Sequence, residues 1–201
     1  MSKGIIVLDA GHGRLGNPHT TKEGFYEGTQ NFVLAGFLKE ELEKRGFEVL
    51  LTRNDIDDNP SLEERGTLAG KNNAILFLSL HSNAPGSATP PDIYPTIRGV
   101  CAYYSLTAPE LNQPLAEALV NKIAEVMNTQ NRGIKTRAYP DKPDTDYYGV
   151  IRNSVQSGCR RAMLIEHGFH TNPEDSAFLQ SSEKLALLAA AEAEVIDSVL
   201  S

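Results

Sequence analysis

Three short apolar runs each end on a residue able to ligate a metal or move a proton, and that recurrence constrains the chain more than any other feature. Ile5-Ile6-Val7-Leu8 stops at Asp9 and leads to His12, set between Gly11 and Gly13. Ala74 to Leu80 runs into His81, and Ala162 to Ile165 runs into Glu166. Short apolar runs with β-branched residues and glycine at their bounds are the pattern of buried strands. If the three strands lie parallel in one sheet, their C-terminal ends share one edge, and the crevice outside that edge is where open α/β sheets collect ligands. Two imidazoles and a carboxylate from distant parts of the chain then face each other.

The segments between the runs supply the crossovers. Leu34, Phe37, Leu38 and Leu42 mark one face of a helix from Thr29 to Arg45, ended by Gly46. Phe47 to Thr52 alternates as a strand, and Ser61 with Glu64 forms a capping box after Pro60 that opens a helix to Asn72. Strand, helix, strand, helix, strand is the order of a parallel sheet with right-handed crossovers. The fold class expected is α/β: a mostly parallel, twisted sheet of about six strands with helices on both faces, in a single catalytic domain over residues 1–201.

Further along, Val100 to Ser105 is expected as a strand, with Thr107 and Glu110 as a second capping box before a helix through Leu115, Leu119, Ile123 and Val126. Tyr147 to Ile151 is expected as a short strand. Asn172 caps a short helix with Pro173 at its first position, and Ser181 or Ser182 opens the last helix, faced by Leu185, Leu188, Ala189, Ile196 and Val199. Three stretches are expected to be irregular: Arg14 to Gly28, which holds His19 and Glu27; Asn83 to Arg98; and Arg137 to Asp146. The second starts beside His81, which makes it one wall of a site.

Composition removes several classes of function. A formal charge of −7 with no basic stripe argues against nucleic acid, whose phosphates need clustered Lys and Arg. No segment approaches the run of about 20 apolar residues that spans a membrane. Cys101 and Cys159 lack metal-ligand spacing and are expected as free thiols. The first apolar run is too short for a signal-peptide core, so the chain is expected to be made in the cytoplasm without a leader.

His12, His81 and a carboxylate match a catalytic zinc site, with three nitrogen or oxygen ligands and a fourth position open to water. The third ligand is Glu27 or Glu166. If Glu27 closes the site, Glu166 is free to move protons, and the chemistry is metal-assisted amide hydrolysis. Each residue alone has a plainer account: His81 as a satisfied polar group at a sheet end, Glu27 as a solvated charge, and Glu166 as partner of His167 and His170 in another metal site. Only the set raises them.

The carrying segments also resemble a known family. Val7-Leu8-Asp9-Ala10-Gly11-His12-Gly13, Gly24-Phe25-Tyr26-Glu27 with Asn31, Thr52-Arg53, Ser61-Leu62-Glu63-Glu64-Arg65, Ser79-Leu80-His81-Ser82-Asn83-Ala84 and Ile165-Glu166-His167-Gly168-Phe169-His170-Thr171-Asn172 occur in the order seen in the zinc-dependent N-acetylmuramoyl-L-alanine amidases of the Amidase_3 type. The resemblance implies His12, Glu27 and His81 as Zn2+ ligands and Glu166 as catalytic acid/base. It further implies cleavage of the amide between N-acetylmuramic acid and L-alanine in peptidoglycan. Arg14, His167 and His170 depart from the family pattern. Asn83 is expected to contact substrate through its place beside His81. A zinc peptidase acting on another wall amide and an inactive wall-precursor-binding regulator are the competing readings. The setting expected is a lysin or autolysin catalytic domain that reaches the bacterial wall after release, with a wall-binding domain possible beyond residue 201.

Overall fold

The three apolar runs lie side by side in the interior of one six-stranded sheet. A computed structural model describes residues 2–19 and 22–201. It opens with β1 (Ile5–Ala10), α1 (Glu27–Lys44), β2 (Glu48–Leu51), α2 (Leu62–Lys71) and β3 (Leu76–Asn83). A 3-10 turn at Pro91–Thr96 precedes β4 (Val100–Tyr104), α3 (Pro109–Met127) and β5 (Asn131–Lys135). The chain closes with β6 (Ala138–Tyr139), β7 (Lys142–Asp146), α4 (Gly149–Gln156), β8 (Ala162–Phe169), α5 (Pro173–Leu179) and α6 (Ser182–Leu200). The main sheet has the order β2-β1-β3-β8-β4-β5, and β6 with β7 forms a separate two-stranded hairpin.

Strands β2, β1, β3 and β8 are parallel, whereas β4 is antiparallel to β8 and carries β5 parallel to itself. The sheet is therefore mostly parallel, and the C-terminal ends of β1, β3 and β8 meet at one edge. Alternation along the strands sends side chains to two cores. Ile6, Leu8, Leu76, Leu78, Leu80, Met163 and Ile165 pack under α1, α3 and α6, while Val7, Phe77 and Leu164 pack under α2 and α4. Burial on both faces explains why these strands are continuously apolar in sequence. Each such side chain, fully buried, contributes about 1.5–3 kcal/mol relative to exposure.

Two glycines let α2 and α4 close on each other. A Cβ on Gly66 would stand 2.6 Å from Asn153 Cβ and 2.7 Å from the Val150 carbonyl oxygen. The seam has no room for it. Contact this close fixes α4 against α2 and explains the chief departure from expectation: of residues 147–151, expected as a short strand, Gly149 to Ile151 open α4 and Tyr148 is its N-cap. Val150, Ile151 and Ser154 are the buried face of that helix, and packing overrides their β propensity.

Other differences are smaller. Residues 137–146 form the β6–β7 hairpin rather than an irregular loop, its turn made at Pro140-Asp141 where such residues favour reversal. The expected Thr107–Glu110 box does not form. Ala108 precedes α3 in a left-handed conformation, Pro109 takes the first position, and Asn112 Nδ2 binds the Thr107 and Ala108 carbonyls. Strand β5 had no alternating apolar pattern to announce it, since Asn131-Arg132-Gly133 is polar edge strand. Ser61–Glu64 does close its capping box, and Asn172 and Ser181 cap α5 and α6. Of the loop read from Arg14 to Gly28, Thr20 and Thr21 lie outside the described residues, as does Met1. No helix among the described residues is long and apolar enough to cross a membrane.

Candidate active site

The edge shared by β1, β3 and β8 is built first from backbone. Past Ala10 the chain leaves the sheet, with Gly11 N donating to the Leu80 carbonyl at 3.0 Å. His12 then adopts φ 62°, a left-handed conformation uncommon outside glycine. What holds it there is Arg65, buried on α2, whose Nη2 donates to the His12 carbonyl at 2.9 Å and Nη1 to the Ala10 carbonyl at 2.7 Å. Nη1 also donates to Asp9 Oδ1 at 2.8 Å, and Asp9 accepts from the Thr52 and Ser79 hydroxyls at 2.6 Å each. The acid that ends the first apolar run thus anchors the arginine that shapes the histidine loop.

Glycine is required where this loop meets its neighbours. A Cβ on Gly11 would lie 2.7 Å from His81 Nδ1, and one on Gly28 would lie 2.8 Å from the Gly13 carbonyl carbon. Gly28 is the second residue of α1, so α1 is seated directly on the His12 loop.

The first residue of α1 is Glu27, fully buried. Helix N-termini favour carboxylates, and this one is further held by Ser82 N at 2.9 Å, Asn31 Nδ2 at 3.3 Å and Asn17 Nδ2. Its Oε1 stands 3.0 Å from His81 Nδ1 and its Oε2 3.3 Å from His12 Nε2. The two imidazoles are edge to face with centroids 5.0 Å apart. One ligand atom from each of the three residues falls within 4.8 Å of the others. Burial works to raise the Glu27 carboxyl, but hydrogen bonds and charge from His12 and His81 hold it well below its ordinary value. His81 is pushed up to about 9, the Glu27 hydrogen bond and charge outweighing desolvation.

Such a donor set fits a divalent ion. Two nitrogens and one anionic oxygen are the ligands zinc takes in hydrolytic sites, and the outer member, His12, is 37% exposed while Glu27 is 1%, so the cluster is open on one side only.

Glu166 is the direct register partner of His81 across the β3–β8 ladder. Neighbouring residues of parallel strands project to the same face, so its carboxyl sits beside the cluster rather than behind it. It is half-buried, and its Oε2 is enclosed without a hydrogen bond among the described residues. Burial pushes the carboxyl up to about 7, with His81 opposing the rise and Glu27 adding to it. His167, one residue on, projects to the opposite face, with Nδ1 3.0 Å from the His81 carbonyl and Nε2 3.2 Å from Glu192 Oε1 on α6. His170 stacks on Phe25 at 5.6 Å, with Nδ1 3.0 Å from Ser82 Oγ and 4.0 Å from Glu27 Oε2.

The sequence-derived set is therefore distributed as follows. His12, Glu27 and His81 converge, with Glu27 rather than Glu166 reaching both imidazoles, and Glu166 stands alongside. Asn83 ends β3, half-buried, its carbonyl accepting from His170 N at 3.0 Å, and it does not line the cleft described next. Glu192 is not marked by any motif, but an acid inside the apolar stripe of α6, between Ala189 and Ile196, is a signal for a buried partner.

A cleft of about 630 Å³ opens from His12 and His81 on the α2–α4 side of the sheet. Leu62, Tyr139, Tyr147 and Arg152 are among the residues that line it. The Asn83–Arg98 stretch, expected as a wall of the site, contributes nothing to this cleft among the described residues. Cys101 and Cys159 are buried free thiols, each raised by burial.

Comparison with known proteins adds a second kind of observation. Residues 6–198 match the family Amidase_3, N-acetylmuramoyl-L-alanine amidase. The chain is 31% identical over 183 residues to the N-acetylmuramoyl-L-alanine amidase LytC of Bacillus subtilis (strain 168), covering 88% of this chain but only 32% of the length of LytC. Among solved structures it resembles the catalytic domain of CwlV, an N-acetylmuramoyl-L-alanine amidase from Bacillus (Paenibacillus) polymyxa var. colistinus, with TM-score 0.76 and 26% identity over 98% of this chain and 97% of that one. It is also similar to the N-acetylmuramoyl-L-alanine amidase AmiC2 of Nostoc punctiforme, with TM-score 0.77 and 28% identity over 97% and 96% of the two chains.

Proposed function

Because the chain belongs to the N-acetylmuramoyl-L-alanine amidase family, we propose that it hydrolyses the amide between the lactyl group of N-acetylmuramic acid and the first L-alanine of the peptidoglycan stem. His12, Glu27 and His81 hold a zinc ion in this reading, and Glu166 is the acid/base. The observation that carries it is the convergence of those three ligand atoms within 4.8 Å beside Glu166. When bound, zinc supplies a water acidified to a pKa of about 7 and polarises the scissile carbonyl.

The protein's own groups account for the remaining steps. Glu166 Oε2 has no hydrogen-bond partner among the described residues to compete for a proton, and a carboxyl raised by burial can hold that proton near neutral pH. It accepts the proton lost by the attacking water and delivers it to the alanine nitrogen as the carbon–nitrogen bond breaks. Asn31 and Asn17 orient Glu27, so that the carboxylate presents its oxygens to the two imidazoles. A substrate contact by Asn83 rests on its adjacency to His81 along β3. Cell-wall peptidoglycan is the substrate, and the site of action is the wall.

Digestion of purified wall tests the reading. New N-terminal alanine is the expected product. New D-alanine or diaminopimelate termini without it would instead identify an amidohydrolase of another wall bond. His81→Ala should lose bound zinc, and unchanged zinc content removes it from the ligand set.

A further inference from the structure

The cleft extends away from the metal cluster onto a wall that the hydrolytic chemistry does not use. That wall is the β6–β7 hairpin and the start of α4. Tyr139 and Tyr147 are 43% and 38% exposed there, with ring centroids 5.8 Å apart, and Tyr148 packs edge-on against Tyr147 at 5.5 Å. Exposed aromatics grouped at one cleft are not needed by the core, and such patches mark contact surfaces.

Two arginines lie among the rings. Arg137 sits 3.6 Å from the Tyr147 centroid, and Arg152 stacks over Tyr139 at 5.3 Å. Arg152 Nη1 donates to the Asp146 and Tyr147 carbonyls at 2.8 and 3.0 Å. Those bonds fix the guanidinium plane and leave its Nε–Nη2 edge without a hydrogen bond among the described residues. Neither arginine has a carboxylate within ion-pair distance among the described residues. Asp146, the acid nearest Arg152 in sequence, is turned inward to Ser105 Oγ and Leu106 N. Of the two, Arg152 lines the cleft.

A guanidinium held in plane with one edge free is suited to a carboxylate, which it meets with two parallel hydrogen bonds. Under the proposed amidase reading, the lactyl carboxyl is consumed in the scissile amide, so the glycan beside it offers no anion. The carboxylates lie on the peptide stem. We propose that Arg152, framed by Tyr139 and Tyr147, is a specificity-determining residue that binds the free carboxylate of the stem residue following L-alanine. The inference rests on the amidase reading and deepens it.

The test uses two N-acetylmuramoyl dipeptides with L-alanine first and D-glutamate second, the γ-carboxyl blocked as its methylamide in both, one with a free α-carboxylate and one with that group amidated. Wild-type protein should prefer the free acid by about tenfold or more in kcat/KM, the range of a charge-assisted hydrogen bond. Arg152→Gln should bring the ratio close to one, mainly through KM, and Arg152→Glu should invert it. Because the readout is the ratio of two substrates on one preparation, partial loss of folded protein does not alter it. Equal use of both dipeptides by wild type, or an unchanged preference in Arg152→Gln, overturns the assignment. If wild-type protein releases the dipeptide from neither substrate, the amidase reading falls, and this subsite with it.

Discussion

Replacing Arg65 by Met isolates the interaction on which the His12 loop depends. The guanidinium is 3% exposed and makes five hydrogen bonds, to Asp9 Oδ1, the Ala10, His12 and Pro60 carbonyls and Asn59 Oδ1. Methionine matches much of its length but offers none of these donors. Asp9, fully buried, keeps the Thr52 and Ser79 hydroxyls and loses its only ion-pair partner among the described residues. Breaking a buried ion pair from one side costs about 3–5 kcal/mol, because the remaining charge is left uncompensated. For a chain of this size each kcal/mol is about 2–4 °C in melting temperature, so the variant should melt about 6–20 °C lower. Adding Asp9→Asn should recover much of that loss by removing the stranded charge. Thermal melts followed by far-UV circular dichroism at neutral pH, with a chelator present, measure both changes. A single variant within about 1 °C of wild type, or a double variant no better than the single, would refute the argument that the pair is held by its own compensation.

Four other outcomes follow from the geometry. Gly11→Ala should displace the His81 ring and weaken zinc binding by about 100-fold or more, since ligand positions tolerate shifts of only about 0.2 Å; competition with a chromophoric chelator reads this, and wild-type affinity would contradict it. Glu166→Gln should retain zinc while losing about 100-fold or more in turnover, and activity within tenfold would mean that its role is misassigned. In metal-free protein, Glu166 titrates near 7 when folded, above its unfolded value, so its contribution to stability is present in acid and lost as pH rises through 7. The melting temperature of Glu166→Gln relative to wild type should therefore climb between about pH 5 and 8, and a constant difference would argue against the elevated pKa. Glu192→Leu removes the carboxylate facing His167 in the α6 interface and should cost about 1.5–3 kcal/mol in urea denaturation, with a cost under about 0.5 kcal/mol counting against the pair.

The strands that carry chemistry were legible because each is buried on both faces and ends abruptly at a polar residue, as at Leu8-Asp9, Leu80-His81 and Ile165-Glu166. The same feature made the shared edge, and with it the grouping of His12, His81 and Glu166, inferable without coordinates. What sequence left open was the choice between Glu27 and Glu166 as the third ligand. That choice depends on α1 beginning at Glu27 and seating Gly28 against Gly13, a close approach that no local pattern encodes. The misread segment, Tyr147 to Ile151, failed for a related reason. Its β-branched residues favour a strand in isolation, and it becomes helical because Gly66 and Gly70 on a distant helix open a seam for it.

Successive residues of β8 serve opposite sides of the sheet, Glu166 on the face that carries the cleft and His167 toward α6. Sliding that strand by one position would put His167 or Ile165 where Glu166 stands, so no insertion or deletion within it can be absorbed. The β6–β7 hairpin pairs with no strand of the main sheet. Its length and side chains can change while His12, Glu27 and His81 stay where they are, so the wall it forms can vary independently of the sheet edge.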